Sequence, residues 1–228
     1  LPSGAPQPFR EILPTIKQDV PNPKGKIAIF TGCLLDFVYV DIATDVVKAL
    51  NMAGYIVEMP LGQACCGAPA TYMGDVENAK KAAEMNLNAM EAEKYDYIVS
   101  ACPTCTHALR DYVDFFKDDP EMLKKAEELR SKTFDFCKLV SMLGGLPDTG
   151  DGVPMKVTYH DSCHLNRYLG VTKEQRELLK ATKGVELIEM HDCDKCCGFG
   201  GSYSVKFPEM SAPILEEKIN NIVASGAD

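Results

Sequence analysis

Ten cysteines lie along the 228 residues, and eight of them fall into a repeated pattern. In the first set Cys33 precedes Cys65-Cys66-Gly67 by 31 intervening residues, and Cys102-Pro103-Thr104-Cys105 follows the pair after 35. In the second set Cys163 precedes Cys196-Cys197-Gly198 by 32 intervening residues. The offsets agree, since 163 minus 33 is 130 and 196 minus 65 is 131, which identifies two copies of one unit. Thiolates are soft ligands suited to iron–sulfur clusters or zinc. Five cysteines in the complete set exceed the four of a simple zinc site. Adjacent cysteines on extended backbone point apart, so both can be ligands only if the site is large or multinuclear. A cluster of several irons meets that condition better than one zinc ion, although structural zinc in one of the two sites stays open.

Other chemistries compete for the same residues. A strand followed by Cys-x-x-Cys and a helix is also the arrangement of thioredoxin-like dithiols, where the helix start lowers the first thiol's pKa. Attachment of haem c is excluded, because Thr106 follows Cys105 and His107 comes one place too late. The run Gly198-Phe199-Gly200-Gly201 lacks the spacing of a nucleotide-binding loop, so no bound flavin or nicotinamide is expected. His160, Asp161 and His164 flank Cys163 and read as turn and capping residues, with a proton relay or tuning of a metal site as the sharper alternative. Cys193 reads as a bystander or spare ligand, and Cys137 as a small core residue. Gly67 and Gly198 are expected to let the backbone pass close to whatever is bound.

Elements that would position these groups alternate between strand and helix. Strands are expected at 26–30, 55–59 and 97–100, and helices at 41–52, 75–94 and 106–116. On the helix at 41–52 the buried stripe is expected to be Ile42, Val46, Val47 and Leu50. The stretch 121–130 reads as a charged, solvated connector, and 134–144 as an apolar helix. The second copy repeats the pattern with strands at 156–159 and 185–188 and helices at 173–182 and 213–224. Ile214, Leu215, Ile219 and Ile222 are apolar on the last helix. Such alternation predicts an α/β fold of two tandem, pseudo-symmetric, Rossmann-like parallel-sheet units. In a parallel sheet the carboxyl ends of the strands share one edge, and ligands bind there. Cys33, Cys65, Cys66, Cys102 and Cys105 all follow strands, so they should converge on one rim.

Six prolines before residue 24 suggest an arm or linker over 1–24, with the first unit at 25–150 and the second at 151–228. Adding 131 to Cys102 places the partner Cys-x-x-Cys of the second unit past Asp228, so that unit reads as truncated and the chain as part of a longer one. A net charge of −9 argues against nucleic acid or an anionic membrane as partner. No apolar run approaches the roughly 20 residues of a membrane span, and no signal peptide is apparent. Clustered cysteines in such a chain point to a cytoplasmic metal or redox protein.

These motifs resemble the paired cysteine-rich domains of the CCG family, which includes the catalytic subunit of heterodisulfide reductase and the iron–sulfur subunits of glycolate and lactate oxidation systems. The run from Cys196 to Ser211 is closest to the second group, and the resemblance covers about residues 25 to 228. It implies a four-iron four-sulfur cluster at Cys33, Cys65, Cys66, Cys102 and Cys105, and a second at Cys163, Cys196 and Cys197 where the ligand set is complete. It further implies an oxidoreductase subunit for electron transport in a flavin-linked 2-hydroxy-acid dehydrogenase. Its partners would be a flavoprotein subunit, a ferredoxin-like domain or subunit, and a quinone or other carrier. Attachment to a membrane would then be peripheral, through a partner. The alternative is a catalyst like heterodisulfide reductase, reducing a disulfide at the cluster.

Overall fold

The computed structural model describes residues 3–148, 150 and 152–228, and the chain divides between Pro147 and Asp148 into two units. Residues 149 and 151, within the stretch expected to separate the repeats, lie outside the described residues.

In the first unit the proline-rich segment is anchored. Phe9–Ile12 forms one helical turn (α1) that buries Phe9 completely, and Leu13 follows it into the core. Arg10 pairs with the buried Asp36. The Gln18 amide then occupies the edge of the sheet like a strand residue, donating to Val57 O and accepting from Val57 N, both at 2.8 Å.

Gly25–Ile29 (β1) is the first strand, with Leu34–Phe37 (α2) and Val40–Met52 (α3) after it. On α3 the buried residues are Ala43, Val46, Val47 and Leu50, while Ile42 is exposed. The expected stripe thus turns by one residue, because Ala43 lets the helix lie close to the sheet. Full burial of Leu50 stabilises the fold by about 1.5–3 kcal/mol. Tyr55–Glu58 (β2), Ala68–Tyr72 (α4), Val76–Met90 (α5), Tyr97–Ser100 (β3) and Pro103–Asp111 (α6) complete the expected alternation. Pro120–Lys132 (α7), expected as a solvated connector, buries Ala126 and Leu129 in the core, since its few apolar residues share one face. It runs into a strand that the sequence did not reveal, Thr133–Asp135 (β4), before Phe136–Met142 (α8). The four strands lie in the order β2-β1-β3-β4, all parallel.

The second unit holds Met155–Val157 (β5), a single π-helical stretch at His164–Tyr168, Glu174–Ala181 (α9), Val185–Leu187 (β6), Tyr203–Lys206 (α10) and Pro208–Ser225 (α11). Its two strands are parallel, with Met155 opposite Val185, and subtracting 130 from both numbers gives the Gly25–Tyr55 pair of the first unit. A second detail repeats as well. Asp96 donates its amide to Lys26 O and accepts the Lys26 amide on its carboxylate, and Asp228 does the same with Lys156. The fold is therefore α/β, with a parallel sheet in each of two tandem units. On α11 the buried residues are Ser211 and Lys218, whereas Leu215, Ile219 and Ile222 are exposed. Their counterparts on α5 are buried with Tyr95, Ile98 and Leu129, from elements whose equivalents are not among the described residues of the second unit.

Candidate metal centre

All ten cysteines are free thiols. In the first unit five of them lie at the exits of β1, β2 and β3, on the single edge that parallel strands share. Cys33 precedes α2, Cys65 and Cys66 precede Gly67 and α4, and Cys102 caps α6 with Pro103 at its first position. Pro103 fits there because that helical position has no amide to satisfy.

The sulfurs form a chain, Cys33–Cys65–Cys66–Cys105–Cys102, each hydrogen-bonded to the next. Hydrogen bonds from Cys33 and Cys66, with help from the Gly67 and Cys66 amides, bring Cys65 down to about 2. Cys105 donates to Cys102, and with the amides of Thr104 and Cys105 at the helix start it brings Cys102 down to about 6. At Cys66 the bond to Cys105 is lowering, but the neighbouring Cys65 thiolate and burial outweigh it and push the thiol up to about 12. Cys33 and Cys105 are held well above the ordinary thiol range, through their bonds to Cys65 and Cys102 respectively. The rim therefore carries two thiolates and three thiols able to ionise against a cation.

Among the described residues no three His, Cys, Asp or Glu side chains close on one point as a single ion requires. A zinc site needs four donors about 2.3 Å from one centre. A string of soft donors along a rim instead suits a polynuclear group, whose irons each take their own thiolate. A Cβ on Gly32, whose φ is +57°, would stand 3.0 Å from Cys105 Sγ, so a glycine there lets the thiol lie against the backbone. The five-thiol set thus fits an iron–sulfur group in donor type, and it holds at least the four thiolates that a four-iron cluster takes.

Gly67 has a packing role beside the one expected of it. A Cβ there would meet Ala79 O on α5 at 3.2 Å, and at Gly198 it would meet Ser211 O on α11 at 2.7 Å. The glycine of each motif lets the following helix pack against the cysteine loop. Three residues that carry no chemistry of their own also hold this loop. Gln63 accepts from Thr31 N at 3.2 Å and donates to Ile29 O at 2.8 Å, fastening the loop to the end of β1. Asn86 and Tyr112, both buried, reach the carbonyls of Cys65 and Cys66. Only Gln63 gave any sequence signal, by its place two residues before Cys65.

In the second unit Cys163 is hydrogen-bonded to Cys196 with Cys197 nearby, and its pKa is raised by burial and then by those two neighbours. The Gly198 amide donates to Cys196 Sγ at 3.3 Å. Cys193 stands apart, donating to Asp161 Oδ2 at 3.4 Å. Asp161 is buried and paired with Arg176 at 2.8 Å, and Arg176 also reaches Glu189 at 2.6 Å. Burial alone would raise the Asp161 pKa, but the Arg176 guanidinium outweighs it and holds the carboxyl below its usual range. Asp161 is thus a structural anion and not a proton donor. His160 bonds through Nδ1 to Cys193 O at 3.0 Å, and His164 stacks on Tyr168.

Comparison with known proteins agrees with this arrangement of two thiol rims. The cysteine-rich domain family, CCG, matches residues 27–110 and again 157–228. Lactate utilization protein A of Shouchella clausii (strain KSM-K16) is 39% identical over 202 residues, covering 89% of this chain and 84% of that protein. Lactate utilization protein A of Bacillus subtilis (strain 168) is 36% identical over 203 residues, with the same coverage of both chains. The protein of the same name from Bacillus velezensis is 38% identical over 194 residues, covering 85% of this chain and 81% of the relative. With both halves matched and relatives aligned over most of their length, the chain belongs to the CCG cysteine-rich domain family.

Proposed function

We propose that this chain is an iron–sulfur electron-transfer subunit of a system that oxidises lactate or a similar 2-hydroxy acid. The observation that carries the reading is the chain of five thiols on one sheet edge, two of them already favoured as thiolates. Cys33, Cys65, Cys66, Cys102 and Cys105 would hold a four-iron four-sulfur cluster in the first unit. Cys163, Cys196 and Cys197 would hold a second metal group in the other. A bound cluster would supply one-electron transfer at a potential set by its ligands, hydrogen bonds and exposure. The chain's own residues fix where that happens. The Gly67, Thr104 and Cys105 amides stabilise thiolate charge, and the exposed Cys33 leaves one side of the rim open to a partner. Oxidation of the acid would occur on a separate flavoprotein. A ferredoxin-like domain or subunit would relay electrons, and a quinone or other carrier would receive them. No described helix is long and apolar enough to cross a membrane. In this reading the chain is cytoplasmic, and contact with a quinone pool is peripheral, through a partner.

Reduction of a disulfide is the second reading, and Asp161, one of the two residues beside Cys163 that could supply its protons, is committed to Arg176. The test is anaerobic reconstitution with iron and sulfide. Uptake of both, with thiolate-to-iron charge-transfer absorption and an EPR signal on reduction, is expected. Zinc bound in place of iron, or neither metal retained, would overturn the reading.

A further inference from the structure

Asn86 and Tyr112 come from different helical segments and meet in the core beneath the Cys65–Cys66 pair, 0% and 1% exposed. Asn86 Nδ2 donates to Cys65 O at 2.9 Å and to Tyr112 OH at 2.9 Å, while its Oδ1 accepts from Ala64 N at 2.8 Å. Tyr112 OH donates to Cys66 O at 2.9 Å. Every polar atom of the two side chains is therefore spent on the loop or on the other residue. Buried polar groups of this kind are retained at a desolvation cost, and a fully satisfied network fixes one backbone geometry. The carbonyl directions of consecutive residues constrain the backbone torsions between them, so fixing both carbonyls fixes the directions in which the two Cα–Cβ bonds leave the backbone.

The second unit carries a different side chain at the equivalent helix position. Gly67 packs on Ala79 and Gly198 packs on Ser211, which aligns the two long helices. Seven residues beyond that contact stands Asn86 in the first unit and Lys218 in the second, and Lys218 is 3% exposed. Its ammonium donates to Asp192 O, with Cys193 O at 3.4 Å. Lys218 thus ties its helix to the stretch leading into the cysteine pair, at carbonyls four and three residues before Cys196, and not to the pair itself.

We propose that Asn86 and Tyr112 are positioning residues, which hold the Cys65–Cys66 backbone so that both thiols stay on the rim, next to each other, where both can ligate one polynuclear group. The role at a cluster rests on the function proposed above, but the positioning itself can be measured without iron. In the iron-free chain, Cys66 and Cys105 are equally inaccessible, 4% and 6% exposed, and share one core. Tyr112→Phe keeps the ring that fills the core and deletes only the hydroxyl. Timed alkylation with iodoacetamide, read by mass spectrometry at each cysteine, should show Cys66 reacting about fivefold faster relative to Cys105, the factor that one net hydrogen bond of ordinary strength converts to. Asn86→Ala should do the same at both Cys65 and Cys66. Equal acceleration of Cys66 and Cys105 would mean a merely loosened core, and unchanged rates would mean an idle network. Either result overturns the proposal. Reconstitution with iron and sulfide runs alongside. Matched iron content with an altered EPR line shape of reduced Tyr112→Phe is expected, and an identical spectrum would count against positioning. Failure of the unmodified chain to take up iron would instead sink the cluster reading, leaving the alkylation ratio to judge the loop.

Discussion

Replacing Gly67 with alanine separates two explanations of the glycine in the cysteine-pair motif. If it exists so that backbone can approach a bound group, alanine should impair iron uptake and destabilise the iron-free fold no more than the same change at Gly74. If it exists so that α5 can pack on the loop, alanine should destabilise the fold. The structure favours packing and gives the magnitude. Gly67 and Gly74 have nearly equal φ, +82° and +81°, so both substitutions incur the same left-handed backbone cost. That cost is about 1–2 kcal/mol, partly offset by about 0.4–1 kcal/mol from a less flexible unfolded chain, for a net of about 1 kcal/mol. At Gly74 nothing lies within 4 Å of the new methyl group. At Gly67 the methyl meets the Ala79 carbonyl at 3.2 Å and the α5 backbone must yield, adding about 1–3 kcal/mol of packing strain. Gly67→Ala should therefore cost about 2–4 kcal/mol against about 1 kcal/mol for Gly74→Ala. Urea denaturation of the two iron-free variants, followed by circular dichroism, provides the comparison. Equal midpoints for the two variants would refute the packing argument, and loss of iron uptake by Gly67→Ala with a midpoint equal to that of Gly74→Ala would restore the alternative.

Cysteine substitutions should divide the two sites. Within these 228 residues the first unit contributes five cysteines to its rim and the second three, so Cys65→Ser should remove most of the bound iron and Cys196→Ser little. Iron analysis of both reconstituted variants decides it, and equal losses would mean that the sites are equivalent. Arg176→Met should destabilise the second unit by about 3–5 kcal/mol, because it strands a buried carboxylate. Protease susceptibility of peptides from the second unit, with those of the first as control, would show this, and a change under 1 kcal/mol would contradict the burial of the pair. The same pair sets a pH dependence. The Asp161 pKa is depressed in the folded chain, so the pair's contribution is complete above the unfolded carboxyl value of about 4 and is lost as pH falls through the folded value. The destabilisation caused by Arg176→Met should accordingly shrink in acid, and a cost that stayed constant from neutral pH down to about 3 would argue against the ion pair.

How much of this was legible beforehand differs from residue to residue. The repeat was fully legible, because cysteine spacing is a covalent property, and the strand registers reproduce its offset of 130. Convergence of the first five cysteines on one edge followed from strand–helix alternation, since parallel strands must end on the same side. The strand Thr133–Asp135 was hidden because three residues give no periodicity, and only its pairing with Ile98–Ser100 makes it a strand. The charged α7 concealed Ala126 and Leu129 for a related reason, as two buried residues in a helix of thirteen are too sparse to mark a face.

What the sequence by itself determined, then, was the unit, its repetition, its fold class and the five cysteines that meet on the first sheet's edge. These are set by local patterns and by chain spacing. Tertiary structure alone decided how the thiols are held and which of them ionise. Asn86 lies 21 residues from the Cys65 carbonyl that it serves, and Tyr112 lies 46 from that of Cys66. Asp161 became a structural anion only when folding brought Arg176, 15 residues on, against it. Glycine in the motif likewise took its meaning from a helix that the chain supplies twelve residues later. A hydrogen bond is won by whichever donor folding delivers within about 3 Å, and no spacing along the chain specifies that partner.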